Sequence, residues 1–243
     1  MGNTLVRGML LGMALCVVGG CGIIDQVYLP PAEDTAQEIF ESANDEMHEK
    51  NYLHAAKLYN RLRDEYPFSP YTIDAELSLA DAYFLDEEYT SAVDAYKDFE
   101  SMHPRHAAVP YCLYQIGMAN LRAFRSIDRA TTPLQESCEY FQRLMQTYPD
   151  SPYAEGAKEG YAKCRKLMAE HELYIADMFW NMENYGPAWR RYQFVADNFA
   201  DVQEVAAHAK QKGMAAYHKY RAAQSEARRE QKEGGWKDWL SWL

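Results

Sequence analysis

The chain has 243 residues, with 36 acidic against 25 basic side chains and a formal net charge of −11. That balance argues against non-specific nucleic-acid binding, which needs a positive face. Once the N-terminal segment described next is set aside, about 220 residues remain, enough for a core that needs neither metal nor disulfide staple.

Residues 1–20 read as a secretory signal, with Arg7 followed by an apolar stretch from Gly8 to Val18. The stretch is too short for a stable membrane span. Val18-Gly19-Gly20-Cys21 is similar to the lipobox of bacterial lipoproteins, which implies cleavage before Cys21 and acylation of its thiol. That covalent lipid is the only non-protein group expected; no cofactor or metal is. Each buried methylene contributes roughly 0.8 kcal/mol, so two or three acyl chains anchor a protein stably. Gly22, in place of Asp, resembles lipoproteins sorted to the outer membrane, so a lipid-anchored position on its periplasmic face is expected. Residues 21–33 carry Pro30-Pro31 and little periodicity, and read as an extended tether.

From residue 34 to 233 one spacing recurs. Ala55, Tyr59 and Pro67 stand in the same register as Ala92, Tyr96 and Pro104, 37 residues later, and Ala188, Tyr192 and Ala200 repeat it without the proline. Each Ala follows another by twelve residues: Ala43, Ala80 and Ala176. This is the pattern of a tetratricopeptide repeat. Two antiparallel helices cross closely only where small residues meet, and the aromatic one turn on fills the gap to the next pair. Tyr66-Pro67, His103-Pro104 and Tyr148-Pro149 stop the second helices, because proline disfavours helical geometry in the residue before it.

A third repeat fits with Gly117, Ser137, Phe141 and Pro149, but twenty residues rather than twelve separate Gly117 from Ser137. An interhelical insertion of eight residues, around Arg125–Pro133, is therefore expected. Ser151-Pro152 predicts the start of a long helix over about 153–182, with Ser151 as cap and Pro152 in the first turn. A final helix over about 202–232, polar and basic in its later half, suits the cap of a solenoid. The predicted fold is all-α: a tetratricopeptide-repeat superhelix of about four to five helix pairs with a C-terminal capping helix. Residues 234–243 form a separate segment holding three of the five tryptophans. Trp236, Trp239 and Trp242, with Leu240 and Leu243, would form an apolar face of a short helix at spacings of three and four, suited to a partner groove or a membrane interface.

Cys112, Cys138 and Cys164 remain in the mature chain. An odd number cannot all pair internally, and buried small hydrophobes are the expected role. His103-Pro104-Arg105-His106 and the Asp45/His48 pair have no second half at ligand spacing. No nucleophile elbow or phosphate loop is apparent, so the chain is expected to bind rather than catalyse.

A lipobox Cys, a proline-bearing tether, Tyr66-Pro67-Phe68-Ser69-Pro70-Tyr71, a third repeat with an insertion, and Tyr148-Pro149-Asp150-Ser151-Pro152-Tyr153 together resemble the BamD (ComL/YfiO) family of outer membrane lipoproteins. The resemblance covers residues 33 to 220. It implies a non-catalytic part of the β-barrel assembly machinery, whose N-terminal repeats receive unfolded outer membrane protein segments and whose C-terminal repeats dock on the periplasmic domains of BamA. Other lipoproteins of that complex are possible neighbours. A periplasmic repeat adaptor of the CpoB type, which coordinates Tol proteins, is the alternative.

Solenoids of this kind present the first helix of each pair along a groove. At the corresponding positions stand Phe40, Asn44, Met47 and His48 in the first repeat, Leu77, Asp81, Phe84 and Leu85 in the second, and Tyr114 in the third. This mix suits an apolar peptide read with loose discrimination. Asp81 weighs against a clamp for a peptide carboxylate. Arg190 and Arg191 are candidates for contact with BamA; adjacent helical residues point about 100° apart, so one of the two is expected at a given interface.

Overall fold

The structure, a computed structural model, describes residues 34–233. The signal peptide, Cys21, the tether and the Trp-rich tail lie outside the described residues. Those described form nine α-helices and no strand: α1 Ala36–His48, α2 Tyr52–Glu65, α3 Thr72–Leu85, α4 Tyr89–Met102, α5 Val109–Ala123, α6 Thr132–Thr147, α7 Ala154–Asn181, α8 Tyr185–Asn198 and α9 Gln203–Glu233. The described residues divide into two compact units, 34–75 and 76–233.

In the first unit α1 packs on α2. A capping box starts α1: the Thr35 hydroxyl accepts from the Glu38 amide, and the Glu38 carboxylate accepts from the Thr35 amide. Ala43 and Ala55, the predicted crossing residues, are both fully buried. Arg61 ties the start of the unit to α2, pairing with Asp34 at 2.7 Å and Glu65 at 2.9 Å.

In the second unit Ala80 and Phe84 of α3 pack with Ala92, Tyr96 and Phe99 of α4, and this cluster continues into Cys112 and Ile116 of α5. α5 pairs with α6, and α7 with α8. The first helices also touch one another, α5 with α7 and α7 with α9. α7 serves two neighbours: its first half joins Leu134, Phe141 and Leu144 of α6, and its second half joins Tyr192 and Val195 of α8. Four helix pairs and a ninth helix thus match the tetratricopeptide expectation.

Three first helices stop in the same way. At Lys50, Glu87 and Glu183 the backbone turns left-handed, with φ of 65°, 62° and 59°. The amides that follow reach back five residues, Asn51 to Glu46, Glu88 to Tyr83 and Asn184 to Phe179, at 2.9–3.0 Å. These are Schellman closures carrying a non-glycine residue at the position where glycine is usual. In the third repeat α5 runs instead into a loop at residues 124–131, the predicted insertion. The loop is anchored, since His171 on α7 bonds the Ile127 carbonyl at 2.5 Å.

The proline-bearing linkers share one hydrogen-bond pattern. Ser69 and Ser151 amides bond the carbonyls of Tyr66 and Tyr148 at 3.0 Å, and the His106 amide bonds His103 at the same distance. Each serine hydroxyl then accepts from the amide two residues on, Tyr71 or Tyr153, and the His106 Nδ1 does so for Ala108. The His103/His106 pair is thereby explained as turn chemistry, with His103 Nε2 lying 2.6 Å from the Glu76 carboxylate. One expectation is corrected here. Pro152 is not in the first turn of α7, whose N-cap is Tyr153 without a side-chain cap; Ser151 and Pro152 build the turn ahead of it.

Candidate functional site

The predicted groove residues are reached through a bond that recurs inside the pairs. The residue after each small first-helix residue accepts a hydrogen bond from the second-helix tyrosine: Asn44 from Tyr59 at 2.7 Å, Asp81 from Tyr96 at 2.5 Å, and Asp177 from Tyr192 at 2.5 Å. These tyrosines are fully buried, and a buried hydroxyl needs such a partner. In the third pair the aromatic is Phe141, which has no hydroxyl, and the matching first-helix residue is Met118. The small second-helix residue there is Ser137, whose hydroxyl donates to the Gly117 carbonyl at 2.6 Å.

Asn44 and Asp81 are therefore partly committed to the fold. Asp81 also accepts from the Tyr111 hydroxyl at 2.6 Å, and burial raises its pKa against the lowering effect of both tyrosines. Phe84 is a correction to the expected groove lining: it is 8% exposed and sits in the core against Tyr89, with the Arg122 guanidinium 4.8 Å from its ring centre. Its helical register points it between α3 and α4 rather than outward. Leu77 is half-buried against the same core.

The other predicted residues keep accessible surface. In the first unit Phe40 is half-buried, stacked on Tyr71 at 5.4 Å, Met47 is half-buried and His48 exposed. In the second unit Leu85 is 47% exposed, and Tyr114 is half-buried and stacked on Tyr153 at 5.7 Å. Gly156 permits that stack, because a Cβ there would stand 3.1 Å from the Tyr114 ring.

Arg190 and Arg191 both line one hollow of about 400 Å³ on α7 and α8, with Phe179, Pro187 and Phe194. The expectation that only one would serve a given surface does not hold, because long flexible side chains offset the angle between their Cα atoms. Arg191 pairs with Glu172 at 2.6 Å. Among the described residues no carboxylate pairs with Arg190.

Two features were not singled out by the sequence reading. Phe68, at the tip of the first proline linker, is 99% exposed. Its signal was an aromatic bracketed by Pro67 and Pro70. The second is a hollow of about 560 Å³ between α8 and α9, lined on one side by Trp189 and Gln193 and on the other by Gly213, Met214 and Tyr217. Gly213 stands 37 residues after Ala176, the register of a first-helix small residue, and the hollow lies where the second helix of a fifth pair would pack.

Among the described residues no helix is long and apolar enough to cross a membrane. Residues 32–233 match the family described as outer membrane lipoprotein, YfiO. The chain is 26% identical over 205 residues to the outer membrane protein assembly factor BamD of Neisseria meningitidis serogroup A, covering 80% of this chain and 77% of that protein. With the protein of the same name from Vibrio cholerae it shares 25% identity, covering 79% and 82%. Among solved structures, the TPR2AB-domain:pHSP90 complex of yeast Sti1 matches with a TM-score of 0.45 at 14% identity, over 81% of this chain and 86% of that one. With more than four-fifths of its length matched, the chain belongs to the YfiO family of outer membrane lipoproteins.

Proposed function

We propose that this protein is a non-catalytic assembly factor for outer membrane proteins, tethered at the periplasmic face by lipid on Cys21. The family match over residues 32–233 carries this reading, and the relatives named as BamD support it. Its C-terminal repeats dock on the periplasmic domains of BamA, with the hollow at Arg190 and Arg191 as the contact. Phe179, Pro187 and Phe194 supply apolar surface there and the two guanidinium groups supply donors for carboxylates.

Unfolded outer membrane protein segments are received on the first-helix faces. Phe40, Met47 and His48 serve in the first unit, and Leu85 and Tyr114 in the second. Aromatic and Met side chains with a few polar neighbours give sequence-tolerant contact, as a receiver of many substrates requires. Asn44, Leu77, Asp81 and Phe84 shape these faces from beneath.

The test is crosslinking in cells from photoreactive residues at Leu85 and at Arg191, with affinity recovery of the lipidated chain. BamA captured from position 191 and nascent barrel proteins from position 85 are expected. Recovery dominated by Tol components, with no BamA, overturns the assignment in favour of a CpoB-type adaptor.

A further inference from the structure

The three mature cysteines are not equivalent. Cys112 lies in the cluster formed by α3, α4 and α5, whereas Cys138 on α6 and Cys164 on α7 lie together in the next cluster. The Cys164 thiol donates to the Ser137 hydroxyl at 3.0 Å, and Ser137 is the chain neighbour of Cys138. The Cys138 sulfur lies 3.9 Å from the sulfur of Met168, one turn along α7 from Cys164. The two thiols are close enough to perturb each other's ionisation. Both sulfurs therefore point into the same seam between α6 and α7.

The surroundings tolerate a bond there. Oxidation removes the Cys164 S–H donor, but Ser137 keeps its own donor on the Gly117 carbonyl, so no buried donor is left without an acceptor. Members of an outer membrane lipoprotein family work outside the reducing cytosol, where disulfides form and persist. We propose that Cys138 and Cys164 are an intramolecular disulfide-forming pair, closed on the exported chain by an external protein disulfide, with Cys112 left as a thiol.

The exchange balances. Before α7 closes over α6, the Cys138 thiolate attacks the external disulfide, forming a mixed disulfide and releasing one thiolate. The Cys164 thiolate then attacks the Cys138 sulfur and displaces the second thiolate. The two cysteines lose two protons and two electrons, and the external disulfide is reduced to two thiols. Cys112 is fully buried in the separate cluster of α3, α4 and α5, which keeps it out of exchange.

The full-length chain is expressed with its own signal, and the membrane fraction carrying the processed form is taken, so that only exported molecules are counted. After acid quenching and denaturation, free thiols are tagged with maleimide-linked polyethylene glycol, with and without prior reductant. Of the three cysteines, one tag is expected without reductant and three with it, and a non-reduced digest should contain a linked peptide joining Cys138 to Cys164. The variants C138S and C164S should each show two tags whether or not reductant is added; if either fails to accumulate, the wild-type digest decides alone. Three tags without reductant, or a linkage through Cys112 or between two chains, overturns the proposal.

Discussion

Phe141 offers the sharpest test of how the pairs are packed. Its ring is fully buried against two glycines: a Cβ on Gly117 of α5 would stand 2.5 Å from one ring carbon and 2.8 Å from two others, and a Cβ on Gly160 of α7 would stand 2.5 and 2.6 Å from two ring carbons. Ordinary contact begins near 3.4 Å, so a methyl at Gly117 overlaps the ring by about 1 Å and the ring has no room to retreat. Overpacking of this kind costs about 1–3 kcal/mol, against about 1 kcal/mol gained from replacing a helical glycine by alanine. Gly117→Ala should therefore destabilise the chain by up to about 2 kcal/mol. In a Phe141→Leu background the overlap is gone, and the same substitution should stabilise by up to about 1 kcal/mol. The two backgrounds together give a coupling of about 1–3 kcal/mol. Urea unfolding of the detergent-solubilised chain, followed by far-UV circular dichroism, measures all four proteins, and unchanged slopes with shifted midpoints identify true stability effects. A Gly117→Ala effect of equal sign and size in both backgrounds would refute the reasoning.

Four other outcomes follow. Tyr192→Phe leaves the half-buried Asp177 without its hydroxyl partner and should cost about 1–3 kcal/mol in the same urea assay. Asp81→Asn keeps an acceptor for Tyr96 and Tyr111, as Asn44 does for Tyr59. Because burial raises the Asp81 pKa, its folded state is favoured by protonation, and that contribution is lost as pH rises through the raised value; Asp81→Asn should thus be neutral to stabilising at pH 7, with the difference shrinking on acidification towards the ordinary carboxylate range. Glycine at Lys50, Glu87 or Glu183 relieves a left-handed backbone and should raise stability by about 1 kcal/mol at each, read as a higher urea midpoint. Arg191→Ala breaks only an exposed pair with Glu172 and should change stability by less than about 1 kcal/mol, while lowering recovery of BamA if the proposed docking is right.

Helix pairing was legible because its signals are local. Within one helix the 3.6-residue period fixes which residues share a face, so alanines twelve apart across a turn mark a crossing point whatever the rest of the chain does. Prolines mark where helices stop, since they act on the residue beside them. The insertion in the third repeat, the long α7 and the final helix were read in the same way. Even the hollow between α8 and α9 had a signal, Gly213 standing in register with Ala176.

The partners across helices were not legible, because they depend on the rotation and offset of each helix about its axis, which packing sets. Asn44, Asp81 and Phe84 fall at first-helix positions that read as groove lining. Yet the first two answer buried tyrosine hydroxyls and the third fills the core. Arg190 and Arg191 read as pointing apart but reach one hollow, since side-chain length and not Cα direction decides where a guanidinium lies. Three cysteines at scattered positions offered no choice among pairings; the seam between α6 and α7 brings Cys138 and Cys164 together and keeps Cys112 with another cluster. The spacing of Ala, Tyr and Pro was enough to read the repeat and most of its helix ends, because these follow from backbone geometry over a few residues. Which side chains are spent on holding the helices together and which remain free to bind came from the packed molecule, because that division depends on distances between residues far apart in the chain.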